Sequence, residues 1–218
     1  YKPGLDNIRS FVDHLNINIQ DIKLIHIGGT NGKGSTCAYL SSIIQESGYR
    51  VGTFTSPHFF DYRERIKVNN NKIEKGFISK FIITNRDIIE KLELTFFELS
   101  FGMSLSYYIE KNVDYAIIEV GLGGRLDATT AHKLRPIIAI GKIGIDHKEY
   151  LGESLREITK EKVAVIEKDS HVVTCIQTKI VDEIISARVK KVNAKISWVK
   201  PLSKDWELGL KGDFQRYN

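Results

Sequence analysis

The sequence predicts an α/β fold, a mostly parallel sheet with helices on both faces. Three observations carry this. Short apolar runs, Ile22 to Ile27, Asp114 to Val120 and Pro136 to Ile140, read as buried parallel strands. Stretches with helical spacing separate them, the alternation that builds βαβ units. Between the first run and the first of those helices lies a glycine-rich turn, Gly28-Gly29-Thr30-Asn31-Gly32-Lys33-Gly34-Ser35-Thr36.

That turn is the organising stretch. Strand, glycine turn, lysine, hydroxyl and helix is the arrangement that holds a nucleotide triphosphate. Backbone N–H groups at Gly29, Thr30, Asn31, Gly32 and Gly34, with the helix N-terminus, face the phosphates. Lys33 neutralises β/γ charge, and the Ser35 or Thr36 hydroxyl reaches Mg²⁺. The common phosphate loop places Ser or Thr directly after Gly-Lys, whereas here Gly34 intervenes. A plain strand-to-helix turn is the alternative, and four glycines, a lysine and those hydroxyls within nine residues argue against it.

The composition is that of an ordinary globular enzyme: 218 residues, 42% hydrophobic and 27% charged. A net charge of +5 suits an anionic small substrate, but the basic residues are dispersed, so nucleic acid is not expected as a partner. Two cysteines, Cys37 and Cys175, make no disulfide scaffold and point to a reducing, cytoplasmic setting. No run of about 18 apolar residues appears, so no membrane span is expected. The chain opens without Met and stops in mid-pattern, which reads as a fragment.

In chain order, Leu5, Ile8, Phe11, Val12 and Leu15 give a helix over 4–16. A helix over 37–46 follows the glycine turn, then a strand over 50–55 completes a right-handed βαβ unit. Ser56 stands just past that strand, at the sheet edge where ligands bind, and is placed to reach a metal. Arg63 and Arg65 are candidates for an anionic substrate, with a solvated charge as the alternative for each. Residues 65–68 and 72–73 read as a hairpin around Asn69-Asn70-Asn71. Residues 76–92 form one amphipathic helix, and 95–111 a helix apolar nearly all round, hence central. Thr95 with Glu98 fits a capping box; Phe96 and Phe97 are core residues or a stacking surface for a flat ligand.

Glu119 ends a buried strand beside the phosphate loop, like a Walker-B carboxylate. Left unpaired there it costs several kcal/mol, roughly, so it should meet Mg²⁺ or a cation. The glycines of Gly121-Leu122-Gly123-Gly124 let the backbone run close to a ligand, and Arg125 and Asp127 add one charge of each sign. Asp146-His147 follows the next strand, in the layer of Lys33, Ser56 and Glu119, which favours a metal or phosphate role for His147. A helix over 151–167 holds Glu161 and Lys162, by default a solvent-facing pair. Strands over 171–174 and 196–198 flank a helix over 179–189, and residues 206–218 read as the entrance to a further helix.

Taken together, these motifs resemble one family. Gly29 to Ser35, Thr55-Ser56-Pro57-His58 with Glu64-Arg65-Ile66, Thr95 to Glu98, Glu119 to Thr129, Asp146-His147, Glu161-Lys162 and Gln215 to Asn218 recur in this order in folylpolyglutamate synthase and the bifunctional dihydrofolate synthase, of the Mur ligase superfamily. The resemblance implies a P-loop NTPase-like Mur ligase central domain over 1–218, with the C-terminal glutamate-binding domain absent. It implies that ATP phosphorylates a carboxylate of dihydropteroate or a reduced folate, and that L-glutamate then forms the amide. By position it places metal ligands on Ser56, Glu119 and His147, a carbamylated lysine on Lys162, and pteridine handling on Thr95, Phe96, Phe97 and Glu98. Arg125 and Asp127 fall in its substrate segment, and Asn218 falls near the nucleotide. Lys33, Lys162 and His147 are thus the expected catalytic residues and Mg²⁺ the expected cofactor, in a monomer acting on small molecules. Val163-Ala164 stands where the family has Ala-Gly, and Thr130 where Asn is common. A peptidoglycan-precursor Mur ligase and a non-catalytic nucleotide-binding module are the alternatives.

Overall fold

The computed structural model describes residues 4–132 and 135–217. Among them, eight strands join one sheet: β1 (Lys23–Gly28), β2 (Val51–Phe54), β3 (Ile66–Val68), β4 (Asn71–Lys72), β5 (Tyr115–Glu119), β6 (Ile137–Ile140), β7 (His171–Cys175) and β8 (Lys195–Val199). Their order is β4-β3-β2-β5-β1-β6-β7-β8. From β2 to β8 the strands run parallel, while β3 and β4 form the antiparallel hairpin at one edge. β1 and β2, expected as one βαβ unit, are parallel but not adjacent. β5 lies between them, with Ile117 and Ile118 fully buried. The most apolar strands take the centre because both of their faces are covered.

The helices are α1 (Asp6–His14), α2 (Lys33–Glu46), α3 (Lys75–Thr84), α4 (Arg86–Lys91), α5 (Phe96–Glu110), α6 (Lys148–Leu151), α7 (Leu155–Val163) and α8 (Lys179–Val192). On one face, α1, α3 and α5 bury Phe11, Phe81 and Phe101 with Leu24, Phe54 and Ile118 of the sheet. Also on that face, α7 and α8 pack Ile158 and Ile185 against Ile138 and Val172. On the other face, α2 covers Ile25, Ile27, Val51 and Ile117 with Cys37 and Leu40. Period-two burial along β1 thus serves both layers.

Four stretches differ from the sequence reading. α2 starts at Lys33 rather than Cys37, because Gly32 takes φ +82° and turns the chain straight into the helix. The helix expected over 76–92 breaks at Asn85, whose Nδ2 donates to the Phe81 carbonyl at 2.8 Å. The helix expected over 151–167 is the shorter α7: Gly152 at φ +114° ends the separate α6 at Leu151, and Ser154 with Glu157 opens α7 through a capping box. Residues Asp213–Tyr217 form a 3₁₀ turn where the entrance to a helix was expected.

Candidate active site

The carboxyl ends of β1, β2, β5 and β6 converge on a cavity of about 670 Å³ lined by Thr30, Lys33, Ser56, Arg65, Phe96 and His147 among others. Its floor is the glycine turn. Gly29, at φ +129°, passes so close to Gly141 that a Cβ would lie 3.1 Å from that residue's backbone. The Thr30 and Asn31 N–H groups, expected to face phosphates, instead both donate to the Lys142 carbonyl, at 2.8 and 3.3 Å, because the chain leaving β6 runs beside the turn. Thr30 Oγ1 also exchanges hydrogen bonds with the backbone of Gly144. The turn is therefore anchored to the chain leaving β6. Lys33, in the first turn of α2, folds back and donates its Nζ to the carbonyls of Thr30 at 3.1 Å and Gly29 at 3.4 Å. Gly34 has open space around it, and Ser35 is half-buried. The Thr36 hydroxyl donates to the Gly32 carbonyl at 2.8 Å, and its side chain faces a second, apolar cavity beneath the sheet.

Ser56 lines the cavity and Glu119 stands behind it, paired in the sheet with Ile27 just before the glycine turn: the Ser56 N–H donates to Glu119 Oε2 at 3.0 Å. Glu119 is only 5% exposed. Burial raises its carboxyl above the usual range, and the Ser56 N–H, Lys33 and Arg65 oppose that rise. His147, at φ +46° before α6, lines the same cavity, with Nε2 3.4 Å from Asp146 Oδ2. No group of three His, Cys, Asp or Glu side chains among the described residues could hold a metal by itself. Mg²⁺, however, is ordinarily held by one or two carboxylates plus substrate phosphates rather than by an all-protein cage. A buried carboxylate beside a hydroxyl and next to a phosphate loop fits that mode.

The remaining wall comes from the start of α5 and the loop after β5. Thr95 and Glu98 form a complete capping box: Glu98 Oε2 accepts from Thr95 N–H at 2.8 Å and from its hydroxyl at 2.7 Å. Both polar side chains are thus engaged with each other. Phe96 is 56% exposed at the cavity mouth. Phe97 instead packs against Phe54 and so closely over Gly121 that a Cβ there would lie 2.6 Å from the ring. Asp127 is buried and organises the loop, accepting from the N–H groups of Leu122 and Thr129 and from the Thr129 hydroxyl. Burial raises its carboxyl, and these donors offset the effect.

Arg125 lies elsewhere than expected, and Lys162 departs from its solvent-facing default. Arg125 turns away from the cavity and forms a salt bridge with Glu161 at 2.9 Å, because α7 runs behind the loop. Lys162, read by default as half of a solvent-facing pair with Glu161, is 3% exposed and donates to the Gly29 carbonyl at 3.2 Å. Burial, reinforced by Lys33, lowers its ammonium from 10.5 to about 8. Asn218 lies outside the described residues. Sequence reasoning missed Gly4 and gave no separate role to Leu122, Leu126, Ala128 and Asp146, all of which line the cavity. The last four lie inside motifs already singled out, and that membership was the available signal.

A parallel sheet carrying a glycine turn, a strand-end carboxylate and a cavity at the carboxyl edge is the architecture of a nucleotide-binding α/β domain. Residues 27–206 match the Mur ligase middle domain, and the chain belongs to that family. Within it, the relatives are folate enzymes. A probable bifunctional folylpolyglutamate synthase/dihydropteroate synthase of Haloferax volcanii is 38% identical over 79% of this chain and 21% of its own length. The dihydrofolate synthase/folylpolyglutamate synthase of Bacillus subtilis is 37% identical over 80% of this chain and 42% of its own. Among solved structures, E. coli FolC in complex with DHPP and ADP superposes with a TM-score of 0.83 at 27% identity, covering 91% of this chain and 47% of that one. The chain thus spans less than half the length of these relatives. No helix among the described residues is long and apolar enough to cross a membrane.

Proposed function

We propose that this chain supplies the ATP-binding, acid-activating part of an amide ligase that joins L-glutamate to dihydropteroate or a reduced folate. The observation that carries this reading is the single cavity bounded by Lys33, by Ser56 in contact with Glu119, by His147 and by the Thr95–Glu98 turn. The names of the relatives give the acid and the amine their identity.

The chemistry splits one hard condensation into two displacements. A carboxylate oxygen of the acid attacks the γ-phosphorus of ATP, and ADP leaves with the bridging oxygen. The amine of L-glutamate then attacks the acyl carbon and loses a proton, and inorganic phosphate departs as the amide forms. Such a sequence needs positioning and charge neutralisation more than a covalent nucleophile. Lys33 and the N–H groups at the start of α2 take the transferring phosphate. Glu119 and Ser56, with His147 across the cavity, would hold Mg²⁺, which when bound supplies charge neutralisation at the phosphate oxygens. Phe96 offers a face for the flat ring of the acid.

Lys162 suits carbamylation. With its ammonium lowered to about 8, roughly a tenth is neutral at pH 7 and nucleophilic toward CO₂. The new N–C bond and the lost proton convert a buried cation beside Lys33 into an anion. The protein is read as a monomer of the cytoplasm, consistent with two buried free cysteines.

The test is ADP release by the protein at its full natural length. Release is expected only when a pteroate or folate and L-glutamate are both present, and Glu119→Gln should abolish it. Equal release with UDP-muramoyl acceptors, and none with folates, would favour a peptidoglycan-precursor ligase instead.

A further inference from the structure

Two arginines flank Glu64, and the structure treats them differently. Arg63 is spent on its neighbour, with Nε and Nη2 both bonded to the Asp61 carboxylate at 2.7–3.2 Å. Arg65 faces the cavity and makes no salt bridge among the described residues. The partners in direct contact with its guanidinium are neutral. Its Nε–H donates to His58 Nδ1 at 2.9 Å, and its guanidinium carbon lies 5.2 Å from the centre of the Phe96 ring. Tyr62 stacks edge-on against both His58 and Phe96, so the three rings wall in the cation. The Tyr62 hydroxyl in turn donates to Ser100 Oγ of α5 at 3.1 Å, tying that wall to the core.

This arrangement fixes the planar fork without neutralising it. Nε is taken, a ring covers one face, and neither Nη is spent on a carboxylate. Glu119 acts on this guanidinium only at a distance, so no carboxylate offsets its partial burial by direct contact, and the cost is recovered when a bidentate anion arrives. On the same cavity, Lys33 serves the phosphate turn and the Glu119 carboxyl feels both cations. From this we infer that Arg65 is the receptor for the acid substrate's carboxylate. Its Nη groups grip that carboxylate and hold it toward the phosphate turn, and His58 acts as the positioning residue that sets the fork. The inference rests on the proposed ligase reading and adds to it the group that recognises the acid.

The experiment compares Arg65→Ala, Arg65→Lys, His58→Phe and His58→Asn in the full-length protein. Equilibrium binding of a folate and of its methyl ester is measured alongside KM for the acid and for ATP. Charged bidentate hydrogen bonds predict that Arg65→Ala raises KM for the acid about 10- to 100-fold and leaves that for ATP within twofold. The same variant should also lose the wild-type preference for acid over ester. Arg65→Lys should recover part of the affinity, since the charge returns without the fork. His58→Phe, which keeps the ring wall but not the acceptor, should raise KM for the acid several-fold, and His58→Asn should restore much of it. An unchanged acid-over-ester preference in Arg65→Ala, or equal weakening of ATP and acid, would overturn the inference. A wild-type protein that binds no folate would refute the ligase reading, and this inference with it.

Discussion

Gly124→Ala tests how tightly the loop after β5 is locked to α7. A Cβ at Gly124 would lie 2.6 Å from the Lys162 carbonyl oxygen and 3.0 Å from that of Glu161. Carbon–oxygen contacts ordinarily sit at about 3.3 Å or more, so the two backbones must part by about 0.7 Å. Neither side yields easily. The Arg125 N–H bonds to the Glu161 carbonyl at 3.1 Å, and the Thr130 hydroxyl to the Gly124 carbonyl at 3.1 Å. Overpacking of this kind costs about 1–3 kcal/mol. At roughly 2–4 °C per kcal/mol for a chain of this size, the melting temperature should fall by about 2–12 °C. The displaced segment also carries Lys162, bonded to the phosphate turn at the Gly29 carbonyl. Misplacement by 1 Å can cost about 100-fold in rate, so turnover should fall about 10- to 100-fold. Near-UV circular dichroism on heating and steady-state ADP release measure the two effects. Gly34→Ala is the control, because its Cβ meets nothing within 4 Å and it lies in a helix. It should be neutral or stabilising by up to about 1 kcal/mol. If Gly124→Ala melts and turns over like wild type, the steric reasoning is wrong.

Two further outcomes follow from burial. Phe54→Ala removes a fully buried ring packed against Phe97 and Phe101, each centred 5.5 Å away, and should cost about 3–5 kcal/mol in urea unfolding; a loss under about 1 kcal/mol would show that this core collapses around the gap. Lys162→Met should change how stability varies with pH in CO₂-depleted buffer. Because the native ammonium titrates at about 8 rather than 10.5, the unfolded chain holds more protons between those values. Charged Lys162 therefore destabilises the wild type in full below pH 8, and the wild type should gain on the variant from pH 8 to 10.5. A pH-independent difference would remove the buried ammonium from the account.

Much of the fold was legible because it rests on local patterns. The central strands announce themselves as unbroken apolar runs, since both their faces are covered. The Thr95–Glu98 box and the hairpin at Asn69-Asn70-Asn71 are encoded within a few residues. The break at Asn85 was missed because apolar spacing continues across it, while a side-chain hydrogen bond ends the helix, and the start of α7 was set too early because Leu151 and Leu155 share that spacing. In the site, Lys33, Ser56, Glu119 and His147 follow the carboxyl ends of their strands, which a parallel sheet places along one edge.

The sequence by itself determined the parallel α/β class, the phosphate turn and the strand-end positions of the polar residues, because hydrophobic period and glycine content are properties of neighbours along the chain. Only the tertiary structure decided which charges are spent and which stay available. Arg63 and Arg65 stand two residues apart, yet one is consumed by Asp61 and the other is left to the cavity. Arg125 leaves the substrate segment for a surface salt bridge, and Lys162 is a buried amine rather than half of the solvent-facing pair that spacing alone suggests. Pairing and desolvation depend on what distant segments bring within a few ångströms, and no spacing within the sequence encodes that.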